Sequence, residues 1–392
     1  MSFAYQWNRA GTPISGATAS AYVPVSADIG DTLTISVTAT NSSGSSAPAT
    51  SAATSAVTPA NGWADGFSGA PAGAPQYPAL LTGYGPNRPP WHVAGVDYHV
   101  GPPDGQILTD WRTLASDPKL NINTATGEIQ FNADYTFTNV DFSLGLGAIL
   151  YNPSGSGVTQ ITCINCNFQL QSGSTFASAG SYIILDQNGA TITLTSCHFD
   201  GENIVMPPSF IGGNGSIIME YNWFTNDTVQ ILECVTTVNN AIITCKYNLY
   251  DDMPITAPAH MNYLQNSATG LTLFETVQFN TTLQKSLGGA EGFQFYTNGS
   301  GMILNNPQFT NNTMIARPHA VVGPLGPQTM SNMVHGTDSG TTIVGAGQNN
   351  NNYFDASGAF FPYYPGTMTA ALGWVSSGNI DMNTGAIITE GT

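Results

Sequence analysis

The stretches ITCINCNF (161–168), TLTSCHF (193–199), IIMEYNWF (217–224), ITCKYNLY (243–250), LFETVQF (273–279) and ILNNPQF (303–309) follow one pattern. Each runs through β-branched and apolar residues, passes a small or amide-bearing one and closes on an aromatic. The closing residues Phe168, Phe199, Phe224, Tyr250, Phe279 and Phe309 lie 31, 25, 26, 29 and 30 residues apart. FTNVDF (137–142) precedes the series and NNNNYF (349–354) follows it. A period of about 20 to 50 residues marks a repeat architecture, and no helical spacing of apolar residues runs through the phrases. Five residues before each aromatic stand Phe137, Cys163, Leu194, Met219, Cys245, Phe274 and Leu304; two before it stand Val140, Cys166, Cys197, Asn222, Asn248, Val277 and Pro307. The two positions differ in parity, so a straight strand cannot turn both inward. A sharp bend between them can, and the Asn and Asp found there tolerate left-handed backbone. A strand, a corner and a second strand per coil, stacked in register, make a parallel β-helix with the aromatic column inside.

Composition narrows the function classes. Only 8% of the 392 residues are charged, and seven Lys and Arg against 24 Asp and Glu give a net charge of −17. Phosphate binding needs cations, so nucleic acid and anionic membranes are disfavoured as partners. A neutral glycan, or a polyanion bridged by Ca²⁺, is compatible with that charge. No apolar run is long enough to span a membrane, and the chain opens without a basic-then-apolar signal segment, in mid-phrase after Met1. Five cysteines are present. The repeat makes Cys163 and Cys245 one inward column and Cys166 and Cys197 another, small core residues rather than a redox or zinc CxxC. Cys166 and Cys197 fall on adjacent coils about 5 Å apart, within reach of a disulfide.

Four regions follow in order. Residues 1–58 alternate in short runs broken by Gly, Asn and Ser, as small antiparallel strands do. Residues 59–105, rich in Pro and Gly, read as a connector that closes the N-terminal end of the solenoid. The coils occupy 106–355, and the aromatic, turn-rich 356–392 caps the C-terminal end. Variable stretches between the phrases are expected to build a lateral groove.

Two resemblances add to this. Trp7 after Tyr5-Gln6, GAT at 16–18, Tyr22, Asp28 with Gly30, and the ISVTATN strand resemble the Ala/Thr/Ser-rich immunoglobulin-like repeats of bacterial surface and secreted proteins. The copy lacks the strands that should precede Trp7. Val25, Leu33, Ile35 and Val37 alternate as a buried face should, so the module is expected to contact another copy of the chain. The coil phrases resemble the right-handed parallel β-helix superfamily of pectate-lyase-like proteins: polysaccharide lyases, polygalacturonase-type hydrolases and phage tailspike depolymerases. The expected fold is therefore all-β, a right-handed parallel β-helix preceded by a small immunoglobulin-like β-sandwich module.

Candidate site residues follow from the register. Glu202 and Asp227 lie three residues after their aromatics and Asp252 two after its own, with Asp200 and Asp251 beside them. Such an edge of acids suits the paired carboxylates of a glycosidase, and Asp227, Asp251 and Asp252 would suit Ca²⁺, the one cofactor the acids suggest. Polygalacturonase-type hydrolases carry Asn-Thr-Asp, Asp-Asp, Gly-His-Gly and Arg-Ile-Lys in order. This chain offers Thr225-Asn226-Asp227, Asp251-Asp252, His260 and Arg317-Pro318-His319, with no motif matching fully; the register puts Glu202 forward as catalytic, and the resemblance implies Asp227, Asp252 and His260 beside it. Four residues before the aromatic, Glu220, Lys246 and Glu275 form a column expected to point outward, either a salt-bridged ladder or a sugar-binding triad. Arg317 and His319, with Tyr263, Lys285 and Glu291, join the expected groove, walled by Trp223, Tyr247 or Tyr296. The expected function is a secreted or particle-surface polysaccharide lyase or glycoside hydrolase; the alternative is a non-catalytic adhesin or self-assembling fibre component.

Overall fold

The computed structural model describes residues 2–14, 16–22, 32–42, 44–54, 70–145, 147–169, 182–201, 209–225, 230–234, 238–251, 264–266, 270–283, 291–297, 301–315, 332–335, 337, 340–355, 361–363 and 367–388. The chain divides into two compact units, residues 1–69 with 90–92, and residues 70–89 with 93–392. Among the described residues no helix is long and apolar enough to cross a membrane.

The first unit holds one antiparallel sheet built on Ser2–Arg9 and Leu33–Asn41, which pair along their whole length. Thr12–Pro13 pairs with the first strand; Gly44–Ser45 and Ala49–Thr50 pair with the second. Alternation sorts the side chains, placing Tyr5, Trp7, Ile35 and Val37 on one face and Asn8, Thr34 and Ser36 on the other. Leu33 is buried, Ile35 and Val37 are half-buried and Phe3 is 53% exposed. Val25 lies outside the described residues.

The second unit is all-β and dominated by three long, mainly parallel sheets, consistent with a β-helix. A representative coil runs from Gln160–Ile164 in sheet I to Asn167–Gln169 in sheet II and Tyr182–Asp186 in sheet III, then returns to sheet I at Thr191–Thr195. Each strand pairs with its counterpart one coil on. The corner between sheets I and II is tight because one residue per coil takes a positive φ: Asn139, Asn165, Ser196, Tyr221, Tyr247, Phe279, Asn311, Asn351 and Gly378. That single left-handed residue reverses the parity, so the residue two before it and the residue just after it both face inward.

The interior is a set of columns. Phe142, Phe168, Phe199, Phe224 and Tyr250 stack ring on ring, with centroids 4.5 to 5.2 Å apart and planes within 15°. Beyond Tyr250 the register departs from the aromatic spacing. Thr282 pairs with Tyr250 and Met314 with Thr282, whereas Phe309 continues the neighbouring column of Cys245 and Val277 in sheet I. Phe309 is buried there. Phe279 is not a core residue: it occupies the left-handed corner and stacks on Tyr247, which stacks on Tyr221. Phe274 is likewise 37% exposed, and Glu275 takes the inward place beside Ile243.

The corner residue following the left-handed position carries the register instead. Asn222, Asn248, Asn280, Asn312, Asn352 and Asn379 form a buried ladder. The Oδ1 of Asn248 accepts from the backbone amide of Asn222 (2.9 Å) and from its Nδ2 (3.0 Å); the Nδ2 of Asn248 donates to Asn280 Oδ1 and to the Met219 carbonyl. Every valence of the amide is used, which a dry interior requires. Cys166 and Cys197 occupy the same corner on earlier coils, and Cys197 donates its amide to Asn222 Oδ1. Both are free thiols, as are Cys163 and Cys245, so no disulfide joins the coils among the described cysteines. Burial pushes the Cys245 thiol up, helped by nearby Glu275.

Two tryptophans close the stack. Trp111, in a short 3-10 helix (Trp111–Ser116), is buried over the first coils and donates to the Leu144 carbonyl; Trp374, at the start of Trp374–Ser377, is buried over the last and donates to Thr337. The stretch expected to cap the N-terminal end lies elsewhere. Gly101 donates to the Tyr221 carbonyl, Tyr77 to Asp251, Tyr84 to Asp355 (2.7 Å) and Asn87 to the Met382 carbonyl. Residues 70–89 thus run along the outside of sheet II toward the last coil, and 93–104 return beside them toward the first, together forming a strap.

Candidate functional site

Under the strap, the outward residues of sheet II are sealed. His198 stacks on Trp223 (4.4 Å between centroids), hydrogen-bonds Asn167 Oδ1 (3.1 Å) and pairs with Thr225 Oγ1 (2.9 Å). Gly101 crosses this pair at φ +84, where a Cβ would stand 3.4 Å from the Trp223 Cβ. Gly95 crosses Leu249 so closely that a Cβ would sit 2.5 Å from its Cδ2. Burial holds the His198 pKa down at about 4, keeping the ring neutral.

Asp251 is buried and takes the Tyr77 phenol, so its carboxylate is engaged in holding the strap, while Asp227 and Asp252, the other members of the expected Ca²⁺ set, lie outside the described residues. Asp355 repeats the arrangement with Tyr84, whose hydroxyl is raised by burial first and then by Asp355. Asp200 accepts from Gln169 (2.8 Å) and is separated from Asp251 by Thr225 in the ladder, hence by about 10 Å. Among the described residues no group of three or more His, Cys, Asp or Glu side chains could hold a metal ion.

The expected Glu220–Lys246–Glu275 triad is not assembled. Glu220 and Lys246 are register partners on the outer face of sheet I, and the next residue in that column is Gln278. Glu275 points into the core because the coil's phrase is displaced by three residues from the aromatic spacing. Trp223 lies under the strap and Tyr247 in the corner stack, so neither walls a groove.

The remaining candidates share one topological position. Gln169, Asp200, Thr225, Asp251, Leu283, Ile315 and Asp355 are the last residues of successive sheet II strands and stack in register. From each, a connection leads to the next strand of sheet III, ranging from four residues (226–229) to sixteen (316–331). Glu202, Asp227, Asp252, His260, Arg317 and His319 all belong to these connections and lie outside the described residues, as do Tyr263 and Lys285.

Sequence reasoning missed the outer stack of Tyr221, Tyr247 and Phe279. Its signal was present as the dipeptides Tyr221-Asn222, Tyr247-Asn248 and Phe279-Asn280: an aromatic in the left-handed corner, followed by the ladder asparagine. Three bulky residues at φ 57 to 59 are unusual; mutual stacking at 5.0 and 5.2 Å offsets the strain, and Tyr98 of the strap packs edge-on against the first. No protein-family profile matches the chain, and comparison with curated proteins and with solved structures returns no match.

Proposed function

We propose that this chain is an extracellular or particle-surface protein that engages a polysaccharide along one edge of a right-handed parallel β-helix of the pectate-lyase-like kind, and that it acts there as a lyase or glycoside hydrolase. One observation carries the reading: seven consecutive connections leave sheet II from strand ends stacked at about 4.8 Å. A polymer with a short repeat can lie along such a row and meet a new connection at each step. The connections hold the residues suited to the chemistry, with Glu202, Asp227 and Asp252 as the acids, His260 as a proton carrier, and Arg317 and His319 as cationic contacts. Glu220 and Lys246 belong to another face and are left out of this site. The strap supports the reading by covering the outer face of sheet II at His198, Trp223, Leu249, Asp251 and Asp355. The test is a glycan library assayed for new reducing ends and for unsaturated products, with Asp227→Asn as the control. Turnover lost in that variant at unchanged melting temperature supports it; full activity in the variant, or no binding of any glycan, refutes it.

A second reading, a non-catalytic adhesin or fibre component, draws on the exposed Phe3 beside half-buried Ile35 and Val37 in the N-terminal sheet. It expects association of copies through residues 1–58.

A further inference from the structure

The outer face of sheet I carries exposed side chains along its length and is almost without charge. It extends from Tyr135–Thr138 to Trp374–Ser377, nine levels of strand about 4.8 Å apart, with outward positions dominated by Thr and Gln. Two large apolar side chains stand exposed at neighbouring positions near its middle, Ile242 (48%) and Phe274 (37%). Its strands present only two charged side chains outward, Glu220 and Lys246, and these are register partners on adjacent coils.

We infer that this face is where a second copy of the chain docks, with the two solenoids antiparallel about a two-fold axis that runs along the strands between Ile217–Glu220 and Ala241–Lys246. Three arguments select that occupant. In a chain of net charge −17 most surfaces repel their own kind, whereas this one carries +1 and −1. The two-fold axis keeps position along the strand and exchanges adjacent coils, so Glu220 of each copy faces Lys246 of the other, and the contact is self-complementary. The same operation lays Phe274 over Thr191 and Ile242 over Ser216, covering both exposed apolar side chains with small hydroxyl-bearing residues, and lays Ile218 over Thr244. The area sets the strength. Eight shared levels by three outward side chains give a flat footprint of roughly 450 Å² per copy, against about 800 Å² per partner in a standard stable interface. The association is therefore weak and concentration-dependent.

The inference does not rest on glycan binding and is tested without glycan, by sedimentation velocity of the full chain up to about 1 mM. The expected result is a reversible monomer–dimer equilibrium. Lys246→Glu alone and Glu220→Lys alone each weaken it about tenfold, and the double exchange restores it to within about threefold. Ile242→Lys, at an exposed strand position, abolishes it while circular dichroism stays unchanged, and Phe3→Asp in the N-terminal sheet leaves it intact. A monodisperse monomer throughout, a dimer that the double exchange fails to restore, or one lost on Phe3→Asp overturns the inference.

Discussion

Phe279 and Asn280 are neighbours with opposite environments, one in the outer corner stack and the other fully buried in the amide ladder. Replacing Asn280 by Ala removes a donor to the Cys245 carbonyl and to Asn312, and an acceptor for the Asn248 amide. Leaving those groups buried without partners is expected to cost about 2–4 kcal/mol, measured by urea unfolding. Phe279→Asn should cost less than about 1 kcal/mol, because Asn suits a left-handed corner and occupies it in four other coils. Phe199→Ala, by contrast, opens a cavity within the ring stack and should cost about 3–5 kcal/mol. Equal losses at Phe199 and Phe279 would place both in one column and contradict the register described above.

At the scale of elements, the strap and sheet II depend on each other. Removing the hydroxyl in Tyr77→Phe takes one donor from buried Asp251 and is expected to cost about 1–3 kcal/mol. Its signature is faster limited proteolysis between residues 70 and 104 before global unfolding. His198 adds a pH dependence. Its folded pKa of about 4 lies below the ordinary 6.5 for reasons of burial, so the stability it contributes is whole above about 6.5 and is lost as pH falls toward 4. The melting temperature of the wild type should fall over that window, and His198→Gln should flatten the fall; an identical profile in the variant would remove His198 as its cause. None of this was legible in the sequence. The strap is irregular, rich in Pro and Gly and without a period, and the two partners in Tyr77–Asp251 lie 174 residues apart. Asp251 therefore read as part of an acid edge, when its environment is that of a buried anchor.

For the whole molecule, the repeat made the parallel coils readable because stacked strands place like residues at like offsets. Five of the six closing aromatics that suggested an interior column are buried. The reading failed where an aromatic moved into the corner at Phe279, since ring type alone does not distinguish a core position from an outer stack. The following asparagine does, and a register anchored on Asn222, Asn248 and Asn280 would have turned Glu275 inward. The candidate acids were legible only as a shared edge, because connections of four to sixteen residues have no common offset. The central claim is that this edge is where the polysaccharide lies. Hydrogen–deuterium exchange of the full chain, with and without a binding oligosaccharide, tests it most directly. New protection is expected only in the connections between sheets II and III, across at least three successive coils; protection on the outer face of sheet I instead, or in the N-terminal sheet, would contradict a polysaccharide site at this edge.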